Sequence, residues 1–520
     1  VPTLVRPVPR PPATEPARAT EPLRRARLAG RAGLIMIGVA VATMLAVALL
    51  GPSAAVPDLG GGDPPWSFRA APSDTLVIQL SWAAVIAGGL GVGAGLYGLR
   101  RGWRPARGVL LAGTVIAVLT LALVPPAGST DVLNYAVYGR IAALGHDPYV
   151  LTPAWLHKMA DPVGELAPLA WRNTPSVYGP LATWAQMAGS RLGGGSMAGT
   201  VLALKVMIGL AFLLSAYMLD RLAGPDRDRR VRVHLLWSLN PLMLWHVVLG
   251  GHIDGLGAFF LVAAFLALRR GGVVAGLAAG ALLGAAAAVK APFILAGAGL
   301  AWAARRSMTT FLAMVMGAGT ALVVAYATQG PEAFGNLVGK IGARSLADPW
   351  RVITDALGLG ARSSTLEGQL ALGAALLIGL LLCRRLPPGP SGLASVRPAL
   401  AWCLCWLLTS PVQHPWYDAL LFPLLALMPA GRLDGLLITR GVVTSLIYLP
   451  GALGLLQLQP TALTRWIAET YRPWVAPLAA DLLILCVVVL SFAGALRPRA
   501  LPPAAGGYYD HADGQPPPGR

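Results

Sequence analysis

The stretch STDVLNYAVYGRIAALGHDPY, from Ser129 to Tyr149, gathers residue types that do chemistry. It holds Asp131, Asn134, Tyr135, Tyr138, Arg140 and Tyr149 directly after the apolar run GVLLAGTVIAVLTLALVPPAG. Ser129 and Thr130 are good N-cap residues. A short helix over 131–144 is therefore expected, with Asp131 in its first turn. The helix dipole favours a carboxylate there. Such a group stays ionised and can take a proton from an incoming hydroxyl. Positions 131, 134, 135, 138 and 142 share one helical face. That face carries Asp131, Asn134, Tyr135, Tyr138 and Ala142, while Val132, Leu133 and Ile141 lie mostly elsewhere. The pattern suits a helix lying in a membrane interface, and tyrosine faces suit sugar stacking. GHDPY then makes a tight turn, Pro148 preventing continuation. A first-turn Asp is also an ordinary helix-start residue, and Tyr and Trp form ordinary interface belts. The surrounding sequence has to separate the two readings.

Other corners carry similar types. GGHIDG (250–255) sets His252 and Asp254 between two apolar runs. Two residues of metal-ligand type are too few for a metal site, and a structural hairpin fits this corner as well as a substrate site does. Lys290 ends VVAGLAAGALLGAAAAVK. An ionisable residue at a membrane boundary points to function, against the plainer reading of a snorkelling anchor. SPVQHPWYD (410–418) supplies His414, Trp416, Tyr417 and Asp418 at one level, and WRNTPSVYGP (171–180) adds Arg172, Asn173 and Tyr178. An anion such as a lipid phosphate needs Lys, Arg or His donors. Arg140, His252, Lys290, His414, Arg344 and Arg351 are the pool, and sequence does not choose among them.

The elements that position these residues are transmembrane. The 520 residues are 55% hydrophobic and only 12% charged, against about 25% charged in soluble domains. Repeated apolar runs are long enough to span a bilayer as helices, and no alternating strand pattern of a barrel is present. The expected fold is an all-α polytopic membrane protein of about 14 helices (range 11–14), with interfacial helices in long loops. Helices are expected near 32–50, 75–99, 108–127, 198–219, 234–249, 253–268, 273–289, 292–304, 307–326, 366–383, 398–410, 418–433, 436–454 and 474–495. The pair 273–289 and 292–304 also suits a broken or re-entrant hairpin. Residues 1–31 and 497–520 are Pro-rich and read as disordered cytosolic tails around a membrane domain spanning 32–496. With the N-terminus in the cytosol, about two-thirds of the 41 lysines and arginines fall in the tails and alternate loops on that side, as the positive-inside rule expects. Long loops near 129–197 and 327–365 then face the extracytoplasmic side, where the polar and aromatic residues gather. Loops of such length are usually functional or disordered.

This distribution also disposes of other classes. The net charge of +18 is loop charge, so no nucleic-acid partner is expected. The four cysteines lie in apolar segments, so neither a disulfide framework nor a zinc site is expected. No Walker A motif, Rossmann fingerprint or HExxH is present, which argues against an ATP-driven pump.

The ordered set DVLNYAVYGR…GHDPY, PSVYGPLATW, NPLMLWHVVLGGHIDG, VKAP and HPWYD resembles the actinobacterial polyprenol-phosphate-mannose-dependent α-(1→6)-mannosyltransferases of the GT-C superfamily. The resemblance covers about 129–420. It implies a GT-C-type bundle, a polyprenyl-phosphate-linked mannose donor approached from the membrane lipids, and a mannan-type glycan or glycolipid acceptor outside. The family's first-loop acidic residue matches Asp131, and its histidine–acid corner matches His252 and Asp254, with Ile253 where a polar residue is more typical. A β-linked donor giving an α product needs one inverting displacement. Asp131 would be the base. Lys290, His414, Arg140 and His252 would hold the leaving phosphate. Asn134, Tyr135, Tyr138, Tyr149, Tyr178, Asp254, Trp416 and Tyr417 would contact sugar or acceptor. No cofactor is required on this reading, and a divalent metal is compatible with it. A sister enzyme using an arabinofuranosyl donor is the second reading. A transporter of lipid-linked sugars is the third, although transporters usually place charges at the midplane in repeated halves, and neither feature is visible.

Overall fold

The computed structural model describes residues 16–61, 64–339, 344–358, 364–390, 392–451 and 461–496. Among the described residues every regular element is helical, the solution available to a chain whose backbone must satisfy itself in lipid. Helices α1 (Pro16–Leu50), α2 (Asp74–Arg100) and α3 (Arg107–Leu123) precede the first long loop, which folds into α4 (Asp131–Ala143), α5 (Pro153–Lys158), α6 (Pro162–Glu165) and α7 (Pro180–Leu192). After α8 (Met197–Ala223), α9 (Arg227–Val233) continues through π-helical turns and α10 (Pro241–Met243) to Leu249. The chain then bends by 120° into α11 (Asp254–Leu268). Next come α12 (Gly272–Val289), a 3-10 stretch leading into α13 (Gly297–Ala304), and α14 (Met308–Ala327). The second long loop holds α15 (Glu332–Gly339) and α16 (Arg351–Ala356), followed by α17 (Ser364–Arg385) and α18 (Val396–Thr409). A 3-10 turn, Pro415–Leu420, runs into α19 (Phe422–Leu427), then α20 (Arg432–Tyr448), α21 (Ala462–Trp466) and, through a π-helical stretch, α22 (Ala476–Phe492).

Among the described residues seven helices are long and apolar enough to cross a membrane, eight if the bent pair at 249–254 counts as one span. Arg107–Leu123, Ala291–Ala304, Val396–Thr409 and Pro415–Leu427 are shorter apolar passages beside them. The protein is a multi-pass membrane protein. Large apolar side chains such as Val274, Leu312, Leu377 and Phe492 point outward, each more than half exposed, as a surface covered by lipid chains requires. Small residues let helices approach closely, as in other membrane bundles. Gly276, Gly280 and Gly284 recur every fourth position on α12, and a Cβ at any of them would collide with the carbonyl of Thr310, Met314 or Ala318 on α14.

The two ends of the bundle differ. At one end ion pairs tie the helices: Asp434 of α20 binds Arg232 of α9 and, at 2.7 Å, Arg100 of α2, while Arg107 meets Asp220 at 2.8 Å. At the other end the two long loops cover a cavity.

Each of the 14 segments expected from sequence coincides with a helical passage, but several boundaries move. Residues 16–31 belong to α1 rather than to a disordered tail; they are rich in Ala and Arg, strong helix formers, and Arg25 pairs with Glu21 at 3.0 Å. Residues 1–15 and 497–520 lie outside the described residues. α3 stops at Leu123 because Pro125 and Pro126 follow. The 418–433 helix ends at Leu427, before Pro429 and Gly431, and the 436–454 helix starts at Arg432 and ends before Pro450; proline removes a donor in each case. α4 also departs from expectation. It does not lie open at an interface: Val132 through Gly139 are buried, because α5, α6, α7 and α8 wrap around it.

Candidate active site

The site begins where α3 gives out. Lys205, buried in α8, donates to the carbonyl of Val124 and fixes that end. Gly128, at φ +85°, turns the chain toward Ser129; a Cβ there would strike the Trp245 ring. The Asp131 N–H donates to Ser129 Oγ at 3.1 Å, and α4 starts at Asp131. The carboxylate therefore sits at the amino end of a helix and lines a cavity of about 1770 Å³, larger than the ~300–1,000 Å³ of common small-molecule pockets.

Behind and beside it lie the corner residues. α12 ends at Val289 and presents Lys290, whose Nζ donates to both carboxylate oxygens of Asp254 at 2.9 and 3.0 Å. The same ammonium lies 3.9 Å from the centre of the Tyr417 ring, a cation–π contact. His252 Nδ1 donates to the His246 carbonyl at 2.5 Å, and its Nε2 stands 3.7 Å from Asp131 Oδ2. The imidazole stacks on Trp416 at 4.0 Å and 15°, and Trp416 stacks on His414 at 4.6 Å and 7°. The corner bearing Trp416 is held from below by the buried ion pair of Asp418 with Arg440, which also donates to Gln413 Oε1 at 3.1 Å. Asp418 is thus a brace.

Burial sets the electrostatics. It pushes the Asp131 carboxyl up from 3.8 to about 6; Lys290 opposes and Asp254 adds to the rise. Burial likewise pulls the His414 imidazole down to about 3, with Lys290 acting in the same direction. The Lys290 ammonium is also lowered by burial, against the pull of Asp254. At neutral pH the arrangement is one carboxylate near its titration point, one tethered cation and a neutral histidine with a buried Nδ1 that has no partner.

The cavity continues into an apolar slot. α14 packs on α12 and α17 packs on α18. The wall of the slot is formed by Tyr326, Ile294, Leu295 and Trp406, with Gly368, Ala371, Leu372 and Ala375 of α17. Pro52–Asp58 and Leu166–Trp171 complete the lining.

Not every residue singled out from sequence reaches this cavity. Asp131, Tyr178, Lys290, His414, Trp416 and Tyr417 line it. His252 and Asp254 lie immediately behind, touching Asp131 and Lys290. Asn134, Tyr135, Tyr138 and Tyr149 are buried in the loop packing and do not line it. The Tyr138 hydroxyl donates to the Thr174 carbonyl at 2.8 Å, and that of Tyr149 bonds the Tyr178 carbonyl and Thr183. Their polar ends secure the loop against α4. Arg140, at the far end of α4, pairs with Asp161 at 2.8 Å and does not reach the cavity. Replacing Arg140 with Gln is accordingly expected to lower the melting temperature while leaving turnover within about threefold of wild type; a kinetic assay beside a thermal melt checks this.

Tyr448, like Tyr326 and Trp406, is a cavity residue that sequence analysis missed. It ends α20, donates to the Gln413 carbonyl at 2.9 Å and accepts from the Leu346 N–H at 3.3 Å, so it links both corners. The signal was a lone Tyr before Leu-Pro at the end of an apolar run. Arg344 lines the cavity and pairs with Glu367. No cluster of three or more metal-ligand side chains occurs among the described residues.

Fold and cavity define a polytopic membrane protein with a carboxylate and a cation enclosed at one end of a helical bundle. The family described as alpha-(1->6)-mannopyranosyltransferase, N-terminal domain, matches residues 35–308, and the chain belongs to that family. Its relatives are actinobacterial. An alpha-(1->6)-mannopyranosyltransferase of Mycobacterium tuberculosis is 33% identical over 141 residues, 27% of this chain and 24% of the relative. Alpha-(1->6)-mannopyranosyltransferase B of Corynebacterium glutamicum is 29% identical over 153 residues, 29% and 25% of the two chains. Alpha-(1->6)-mannopyranosyltransferase A of the same organism is 27% identical over 205 residues, 38% and 40%. The chain thus spans about a quarter of the length of the first relatives it matches. No solved structure matches.

Proposed function

We propose that the protein transfers mannose from polyprenyl-phosphate-mannose to the 6-hydroxyl of an α-mannan or glycolipid acceptor, with inversion, at the extracytoplasmic face. The observation that carries this reading is that Asp131 and Lys290 line one large cavity whose wall extends along the apolar residues of α17. The sugar and the linkage follow the mannopyranosyltransferase family to which the chain belongs. The side of the membrane rests on charge: Arg residues crowd the opposite end of the bundle, which the positive-inside rule assigns to the cytosol.

The chemistry follows from the groups present. The donor's prenyl chain occupies the slot, and its phosphate reaches Lys290, whose charge stabilises the leaving group as the C1–O bond breaks. The acceptor hydroxyl attacks C1 from the opposite face and gives its proton to Asp131. Tyr178, Trp416 and Tyr417 pack the two sugars and exclude water. His414, neutral and facing the cavity, offers the phosphate a hydrogen bond.

Two outcomes test this. The base must be ionised, so kcat/KM is expected to fall about tenfold per pH unit below about pH 6 and to level off above it; a pH–rate profile with subsaturating donor reads the limb. Ala371→Phe is expected to raise KM about tenfold for a long-chain prenyl donor and to leave a short-chain donor unaffected, because a bulky side chain blocks only the slot. Equal effects on both donors would remove the slot from donor binding.

A further inference from the structure

The Asp131–His252 pair faces the wrong way for a histidine base held by an acid. His252 Nδ1 carries its proton to the His246 carbonyl at 2.5 Å. The neutral ring therefore turns a bare lone pair on Nε2 toward Asp131 Oδ2, 3.7 Å away, and Nε2 is buried with no hydrogen-bond partner. The ring is held in this pose by the Nδ1 bond and by Trp416, which stacks on one face at 4.0 Å. His252 is 1% exposed and does not line the cavity. Two acceptors facing each other gain nothing while Asp131 is ionised. Once Asp131 carries a proton, closing the gap by several tenths of an ångström makes a hydrogen bond.

We infer that His252 is a positioning residue for proton transfer: its Nε2 receives the hydrogen bond of the Asp131 acid formed when the acceptor hydroxyl is deprotonated. This rests on the assignment of Asp131 as base. The balance is simple. The acceptor oxygen loses its proton to Asp131 Oδ2, the oxygen bonds C1, and the C1–phosphate bond breaks with the electron pair leaving on the phosphate. Rotation about the carboxyl C–O bond then turns the new O–H to His252 Nε2, and the proton returns to water when product leaves. His252 so strengthens Asp131 as a base without touching substrate, instead of holding phosphate. Other groups act on Asp131 electrostatically: Lys290 beyond α12, Asp254 of α11, and Tyr135, Tyr138, Tyr178, Tyr417 and Tyr448. These stay in place when His252 alone is changed, so a shift in the titration of Asp131 reports the pair.

The experiment compares pH–rate profiles of wild type, His252→Asn, His252→Gln and Asp131→Asn in detergent, with polyprenyl-phosphate-mannose and a short α-(1→6)-mannoside. Asn keeps a donor near the His246 carbonyl and deletes the acceptor at Nε2; Gln restores an acceptor there through its amide oxygen. The expected result is a fall in kcat of about 30-fold in His252→Asn, donor KM nearly unchanged, an acidic limb moved down by about one pH unit, and a smaller fall in His252→Gln. An unmoved limb, or a raised donor KM with kcat intact, overturns the inference. Full activity of Asp131→Asn would instead sink the base assignment itself, so the two failures are distinguishable. Infrared titration of wild type covers the case of variants that do not fold. A carboxylic acid C=O band lowered by strong hydrogen bonding, and sensitive to 15N-labelled histidine, is expected; a free-acid band overturns the inference.

Discussion

Asp131→Asn is expected to lower kcat about 1,000-fold while KM for the donor changes less than about threefold. Asparagine has nearly the same shape, keeps the N–H bond to Ser129 Oγ and leaves α4 intact. What it cannot do is take a proton. The variant should also be at least as stable as wild type at pH 7. The folded carboxyl titrates near 6 rather than at its ordinary 3.8. A raised folded pKa gives stability that is complete below 3.8 and is lost as pH rises through about 6, so at pH 7 the ionised side chain is held at a cost. Asn removes that cost. Activity lost together with stability kept or gained is the signature expected of a group held for chemistry. A melt and a single-turnover assay on the same preparation read both.

Lys290→Met has the second-largest expected effect, and its two components separate. Lys290 is the only described partner that neutralises Asp254, a carboxylate with 2% of its side chain exposed. Removing one member of such a buried pair leaves an uncompensated charge and costs about 3–5 kcal/mol. Transfer should fall about 100- to 1,000-fold in kcat, as for the loss of one stabilising donor at a developing negative charge. The double variant Lys290→Met with Asp254→Leu relieves the unpaired charge. It is expected to recover most of the melting temperature and none of the turnover. Recovery of turnover with stability would mean that Lys290 serves only to neutralise Asp254.

Much of the bundle was legible because hydropathy is a one-dimensional signal. Apolar runs and their arginine-rich connections mark passages and ends without knowledge of packing. Asp131 was legible for a local reason, its place just after two cap residues. Lys290 stood out as a cation ending an apolar helix, and His414, Trp416 and Tyr417 as a polar cluster in one corner. What sequence could not say was which side of α4 faces the cavity. Tyr135, Tyr138 and Asn134 share a helical face with Asp131, and that periodicity promised a substrate surface. Their burial follows from α5, α6 and α7 folding over α4, a tertiary event with no trace in the spacing. Arg140 failed for a related reason. It lies near the far end of a 13-residue helix, and its partner Asp161 arrives from the loop. The registration of His252 against Asp131, from elements more than a hundred residues apart, was equally out of reach.

The most direct test of the account reconstitutes the protein in liposomes with polyprenyl-phosphate-mannose and an α-(1→6)-mannobioside, and determines the product linkage by NMR. The account predicts a trisaccharide with a new α-(1→6) bond from the β-linked donor, absent with Asp131→Asn. Product from a polyprenyl-phosphate arabinofuranose donor but not from the mannose donor would contradict the sugar. Movement of intact lipid-linked sugar across the bilayer with no bond formed would contradict the enzyme.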